Sequence, residues 1–363
     1  MPTDRHLPNT PTVAAHADAV RTQLQYYLAM GAVERCARSD IAAVHPLHCV
    51  VRPDKKLRIV VDFSLNLNDY LTVPQMRYAS SIDAAVAASH PGCYYSKLDI
   101  KDAFLSFSMR SGAERLLGFH FEGQFYRYRR LPLGVSTAPE LCELMLSVVS
   151  WQLTQRGVKH VRYCDDILII GSTRDECDRM TATATSTLDQ FGFAVAHNKT
   201  IHSVQSIEFL GVQFDSVSGT VACPPHRIAD LRALLFRAAA HGEQHRVRFV
   251  LSLVGKLSFA AHVLPGARPF FRSLIDATRG LSKRAAVVLG PSVHADIQYW
   301  LQHLSSWNGR QQWRTSVPIL VATDASLHGR SRGRFSPSPA PRTSSGRRYR
   351  RCVVRTASGG HIE

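Results

Sequence analysis

Between about residue 41 and residue 222, short apolar runs arrive in pairs, with turn-forming residues and two long helical patterns between them. The runs predict strands over His48–Val51, Arg58–Asp62, Tyr94–Asp99, Leu116–Phe121, Gln124–Tyr128, His160–Tyr163, Ile167–Ile170 and Ile207–Phe214. Glu122-Gly123 lies between two of them at hairpin spacing, with a glycine in the turn. Apolar residues at helical intervals predict helices over Ala138–Gln155 and Arg174–Phe191. Paired strands between helices fit an antiparallel sheet with helices on one face, an α+β architecture. Ahead of this region, in a lead-in over residues 1–40, Leu24, Leu28 and Met30 mark one amphipathic helix around Val20 to Val33. Beyond it, residues 223–312 read as mostly helical, with segments near 226–240, 246–263 and 292–304. Val317–Ala322 is a short apolar strand leading into Thr323-Asp324, within a segment 313–329. The pattern then collapses. Residues 330–363 are rich in Arg, Ser, Gly and Pro, a composition that predicts disorder because it buries too little apolar surface to offset ordering.

Composition narrows the partners. The apolar share of 45% is enough for a core. Lys plus Arg outnumber Asp plus Glu by 44 to 28, a net charge of +16, which makes a polyanion the expected partner. Much of that charge sits in Arg330–Arg355, a stretch without an acid, but the body remains basic. The eight cysteines form no CxxC pair and no His pair has zinc-ligand spacing, so a zinc site is not expected. No apolar run approaches the roughly 18 residues that span a bilayer, so no membrane partner is expected. The N-terminus carries no apolar signal segment, which points to an intracellular setting, cytoplasmic or nuclear.

The sharpest chemical feature is Val161-Arg162-Tyr163-Cys164-Asp165-Asp166-Ile167-Leu168-Ile169-Ile170, two adjacent acids between two apolar runs. A tight hairpin turn can present both carboxylates at its tip. These residues alone leave two readings open: a plain polar turn, or a site for a hard divalent cation that prefers carboxylate oxygens. A second strand ends the same way, in Leu98-Asp99-Ile100-Lys101-Asp102-Ala103-Phe104. Three acids from two neighbouring strands can hold two metals roughly 3.5–4 Å apart, the arrangement that clamps attacking and leaving oxygens in nucleotidyl transfer.

Read in order, these segments resemble reverse transcriptases of LTR-type and DIRS-type retroelements, over most of residues 45–215. Leu98–Phe104 looks like the first palm motif. Leu131-Pro132-Leu133-Gly134-Val135-Ser136-Thr137-Ala138-Pro139 looks like the second, and Tyr163-Cys164-Asp165-Asp166 like the YxDD box. Phe191-Gly192-Phe193 with Asn198-Lys199 looks like the fourth, and Phe209-Leu210-Gly211-Val212 like the strand that grips the primer end. Each match is weak alone; five in this order are specific. Cys164 departs from the small or branched residue usual in the box, and Leu133 from a polar residue in retroviral relatives.

The resemblance implies a right-hand polymerase fold: fingers and palm over 41–222, and a helical thumb and connection over 223–312. It also implies a truncated start of RNase H over 313–329, with Asp324 as its first ligand and no RNase H activity. The implied activity is RNA-directed DNA polymerisation, with dNTPs and an RNA or DNA template–primer as partners and two Mg²⁺ ions, or Mn²⁺, as cofactor. Asp99, Asp165 and Asp166 match the metal ligands, with the Ile100 backbone beside them. Lys199 matches a proton donor to pyrophosphate. Arg58 and one of Lys55 and Lys56 match the triphosphate-holding cations of the fingers. Phe104 matches the ring that excludes a 2′-hydroxyl, and Gly134 a point of close approach by template or nucleotide. Phe209, Leu210 and Gly211 match the primer grip. Asn66, Leu67 and Asn68 continue an element with a structural or template-side role. Arg246, Arg248, Lys256, Arg268 and Arg272 are placed to track duplex phosphates. Two other readings stay open: a degenerate, inactive relic that only binds nucleic acid, and a charge-driven RNA-binding module with no catalysis. Oligomeric state is not legible.

Overall fold

The computed structural model describes residues 7–52, 55–73, 81–240, 242–264 and 266–311, together with the strand segments 319–322, 334–336 and 352–354. The chain divides into two compact units, Met1–Arg310 and Gln311–Glu363.

In the first unit the N-terminal helices are Pro11–Ala15 and Ala17–Ala29. The expected helix over Val20–Val33 stops earlier. Gly31 takes φ +65 just past the last turn, the Ala32 N–H bonds back to the Tyr27 carbonyl at 2.9 Å, and the chain leaves as a strand over Val33–Cys36. A left-handed glycine after the last turn is a common helix stop. Val20, Leu24 and Tyr27 are the buried face, and they pack with Leu47, Ile59, Val61, Phe63, Phe119 and Tyr128 in one apolar cluster. That cluster unites the hairpin Leu47–Arg52/Lys55–Val61 with a sheet ordered Val33–Cys36, Gln124–Tyr128, Gly118–Phe121, Val44–His45. The expected strand from Leu116 begins only at Gly118, because Ala113–Leu116 forms a 3₁₀ turn.

The central sheet is antiparallel and ordered Ile201–Val204, Tyr94–Asp99, Asp166–Gly171, His160–Tyr163. Strand side chains alternate between faces, and the two faces meet different partners. Leu98, Ile167 and Ile169 pack on helices Ala138–Gln155 and Arg174–Gln190 through Leu146, Val149, Leu153, Ala184 and Leu188. Tyr95, Leu168 and Ile170 face the other way, into a cluster with Phe209, Phe214, Leu231, Leu253 and Trp300. Lys97, Asp99 and Asp166 share this second face by register.

Ile207–Phe214, expected as one strand, is a hairpin. Ser206–Phe209 and Val212–Asp215 pair antiparallel around Leu210-Gly211, both at positive φ, +51 and +75. That is the two-residue turn whose twist suits a hairpin. A leucine at positive φ is rare, which hid the turn from the apolar pattern. Helices Pro225–Ala238, Val247–Ala260, Arg272–Thr278 and Pro291–His303 follow. Leu231 with Leu235, and Leu253 with Leu257, bury one stripe of the first two. Trp300 is 1% exposed and its indole N–H donates to the Phe270 carbonyl at 2.8 Å.

In the second unit Ile319–Ala322 pairs with Arg334–Ser336 on one side and Cys352–Val354 on the other, both antiparallel. Composition predicts disorder over 330–363, yet these two apolar-centred triplets within it are paired. Asp324 lies outside the described residues. Among the described residues no helix is long and apolar enough to cross a membrane.

Candidate active site

Asp99 and Asp166 are direct partners across adjacent antiparallel strands. Tyr163 also pairs with Asp166, leaving Cys164-Asp165 as a two-residue turn. Of the two turn residues only Cys164 has positive φ, +51. A turn that needs positive φ at its first central position favours glycine there, so a residue with a Cβ is held against its preference. The turn is tied to the neighbouring strand by the Ile100 N–H, which donates to the Asp165 carbonyl at 3.1 Å. Ile100 itself is 2% exposed, so it contributes backbone only.

Lys199 lies beside Asp99. It ends a 3₁₀ turn, His197–Lys199, and its Nζ lies 2.9 Å from Asp99 Oδ1. The turn is anchored because the Ala196 N–H donates to the Asp99 carbonyl at 2.8 Å. Lys97, not foreseen, places its Nζ 2.8 Å from Asp166 Oδ1. The signal for Lys97 was present: residues two apart on a strand share a face, so Lys97 had to accompany Asp99.

Burial pushes the Asp165 carboxyl above the usual carboxylate range, and the charges of Asp166 and Asp99 push the same way. A hydrogen bond with its own backbone and the Lys199 ammonium act against this. The cluster thus carries uncompensated negative charge. Among the described residues no group of three or more His, Cys, Asp and Glu side chains is arranged to hold a metal ion. Asp99 and Asp166 are ion-paired with Lys199 and Lys97. The donor chemistry nevertheless fits a hard divalent cation, which carboxylate oxygens suit and whose charge would relieve the repulsion at Asp165.

Following Asp99, Asp102 takes φ +48, and its carboxylate accepts a 2.8 Å hydrogen bond from the Tyr26 hydroxyl of the N-terminal helix. The Lys101 ammonium sits 5.0 Å from the same ring. Phe104 stands in the 3₁₀ turn Ala103–Ser106, half-buried against both the finger-side and the helix-side clusters. Part of the side chain remains exposed.

Gly134 lies tight against the chain's own backbone. Its φ is +104, and a Cβ there would lie 2.8 Å from the Val61 carbonyl oxygen. The close approach is made by the chain's own finger strand. Asn68 fixes the loop, donating to the Gly134 carbonyl and accepting from the Ser136 N–H, both at 2.9 Å. This gives Asn68 of the Asn66–Asn68 element a structural task. Arg58 is exposed on the finger hairpin Leu47–Arg52/Lys55–Val61. The side chains of Lys55 and Lys56 lie outside the described residues, though both belong to the strand Lys55–Val61.

Phe209 is fully buried and Leu210-Gly211 form the hairpin tip. The Arg227 guanidinium packs on Gly211, so closely that a Cβ there would meet it. A cavity of about 420 Å³ opens beside it, lined by His226, Arg227, Ser252, Gly255, Lys256 and Phe259. Lys256, one of the expected phosphate-tracking cations, therefore faces the same hollow as Arg227.

Residues 52–214 match a family model described as "Reverse transcriptase (RNA-dependent DNA polymerase)". The chain is 26% identical over 178 residues to the Transposon Tf2-3 polyprotein of Schizosaccharomyces pombe, covering 49% of this chain and 13% of that protein. It is 26% identical over 285 residues to Protein P of Duck hepatitis B virus, covering 77% of this chain and 33% of that protein. The chain thus spans a third or less of the length of these relatives. Among solved structures, the foamy viral protease–reverse transcriptase in complex with double-stranded DNA superposes with a TM-score of 0.71 at 17% identity. The match covers 92% of this chain and 56% of that one. The same foamy viral protein with an RNA/DNA hybrid gives 0.70 at 17%, covering 92% and 42%. The shared fold is the right-hand polymerase fold.

Proposed function

We propose, for a chain whose residues 52–214 are a reverse transcriptase domain, that it extends a primer 3′-hydroxyl with deoxynucleotides on an RNA template, as part of a retrotransposon. One observation carries the reading: Asp99, Asp165, Asp166 and Lys199 converge at one end of a single antiparallel sheet. The net charge of +16 fits a nucleic-acid partner. The foamy viral structures hold double-stranded DNA and an RNA/DNA hybrid, and a template–primer duplex is the corresponding ligand here.

Asp99, Asp165 and Asp166, with the Ile100 backbone, would hold Mg²⁺, two ions in this reading. Those ions would supply charge neutralisation for the transferred phosphoryl group and activation of the attacking hydroxyl. The remaining work belongs to the protein. Lys199, released from Asp99, donates a proton to the leaving pyrophosphate. Arg58, with Lys55 or Lys56, holds the triphosphate as charge partner and donor. Phe104 fills the space a 2′-hydroxyl needs. The Leu210-Gly211 tip sets the primer end against the carboxylates.

The test is primer extension by the full chain on an RNA template with a DNA primer. Deoxynucleotide incorporation that depends on Mg²⁺ is expected. Tight duplex binding with no incorporation in either Mg²⁺ or Mn²⁺ would leave the non-catalytic reading in its place. A second expected outcome concerns Phe104→Val. Ribonucleotide incorporation appears, and selectivity for deoxynucleotides falls by about 10- to 100-fold, the scale a pocket contact contributes. The ratio of kcat/KM for dGTP and GTP measures it, and an unchanged ratio removes Phe104 from the sugar.

A further inference from the structure

We propose that Arg162 and Glu143 form a bracket that sets the conformation of the Cys164-Asp165 turn, with Arg162 as a positioning residue for catalysis. The inference rests on the polymerase reading of that turn. The Arg162 side chain is 8% exposed. Its guanidinium forks onto Glu143, Nη1 to Oε2 at 2.8 Å and Nη2 to Oε1 at 2.6 Å. Nη1 also donates to the Cys164 carbonyl at 3.3 Å. One planar group therefore joins a helix to the peptide that leads directly into Asp165.

The direction of approach matters. Arg162 pairs in register with Ile167, and Ile167 packs on the helix-covered face of the sheet. Arg162 thus reaches the turn from the face opposite Asp99 and Asp166. It does not meet substrate; it acts through the backbone. That backbone needs holding, because Cys164 sits at φ +51, a conformation disfavoured for a residue with a Cβ. Rotating the Cys164–Asp165 peptide would swing the Asp165 carboxylate away from Asp99. A hydrogen bond to the Cys164 carbonyl opposes that rotation.

The partner has a consequence of its own. Glu143 lies in the second turn of helix Ala138–Gln155, which continues from the loop containing Gly134. The bracket therefore links the Gly134 loop to the Cys164-Asp165 turn through one rigid element. An ion pair with one side chain this deeply buried is a poor device for stability alone. A guanidinium, unlike an ammonium, binds a carboxylate with a fork and still presents a donor to a third group.

The double variant Arg162→Met/Glu143→Leu removes both charges and leaves neither unpaired, so it separates the bracket from a folding defect. Two measurements are made on the full chain: single-turnover nucleotide incorporation, and hydrogen exchange of a peptide covering residues 160–168. The rate is expected to fall about 10- to 100-fold with apparent nucleotide affinity within about twofold of the parent, as for displaced catalytic groups. Exchange at the turn should quicken while helix Arg174–Gln190 keeps its protection. A folded double variant with parental rate and parental turn protection overturns the proposal. If the double variant does not fold, Arg162→Lys carries the test. It keeps the charge opposite Glu143 and loses the fork, so unchanged rate and exchange there overturn the proposal equally. If the parent chain itself incorporates nothing, the polymerase reading fails, and turn exchange alone decides the bracket.

Discussion

Asp165→Asn is expected, if the chain polymerises as proposed, to lower single-turnover nucleotide incorporation on the order of 10³-fold or more and to leave a chain at least as stable as the parent. The first half follows from the charge the site must gather. Metal-assisted charge stabilisation is worth several kcal/mol, and every 1.36 kcal/mol is about tenfold in rate. An amide oxygen can ligate a hard cation but brings no negative charge to offset it. The second half follows from the electrostatics of the metal-free protein. Burial, then the charges of Asp166 and Asp99, hold the folded-state pKa of Asp165 above its unfolded value. Folding therefore favours the protonated form. At neutral pH the ionised carboxyl opposes folding, and the opposition fades as pH falls through the raised value. Asn is neutral throughout, so the variant should melt at or above the parent at pH 7 in chelator. Its advantage should narrow under mildly acidic conditions. A variant with rates near those of the parent ends the catalytic assignment. One that melts well below the parent ends the repulsion account.

Gly134→Ala should destabilise the chain by about 2–4 kcal/mol. The backbone at φ +104 is strained for any residue with a Cβ, and the added carbon would sit 2.8 Å from the Val61 carbonyl oxygen. Backbone on both sides cannot yield as a flexible side chain can. Asn68 fixes the loop through two further hydrogen bonds, so it cannot simply shift outward. The matched control is Gly123→Ala in an open hairpin turn, with φ +78 and nothing within 4 Å of the added carbon. That change should cost about 1 kcal/mol, the conformational part alone. Urea unfolding of both variants separates strain from collision. Equal losses would show that the finger strand does not press on the loop. Incorporation should fall with Gly134→Ala and hold with Gly123→Ala.

Much of the candidate site's placement is legible in the sequence because it depends on near neighbours. Asp165-Asp166 stand between two apolar runs, and such a pair has few places to go except a turn tip. Asp99 ends a strand in the same manner. Lys97 is readable by the two-residue strand period, which puts it on the face of Asp99. Ile201–Val204 was missed for a physical reason. It is an edge strand with exposed residues at Ile201 and His202, so neither an apolar run nor a clean alternation announces it. Leu210-Gly211 was hidden inside an apolar stretch because leucine does not advertise positive φ. The helix Ser81–Ala88 follows a segment without periodicity and went unnoticed.

The amino-acid order by itself determined which segments alternate, which wind, and which carboxylates end strands, because those properties depend on neighbours a few residues away. Only the folded chain decided what meets those carboxylates. The Lys199 ammonium reaches Asp99 from 100 positions along the chain. Tyr26 reaches Asp102 from a helix outside the matched domain. Arg162 finds Glu143 behind the turn. Strand register and helix packing set such meetings, and both minimise the free energy of the whole core, so no local pattern records them.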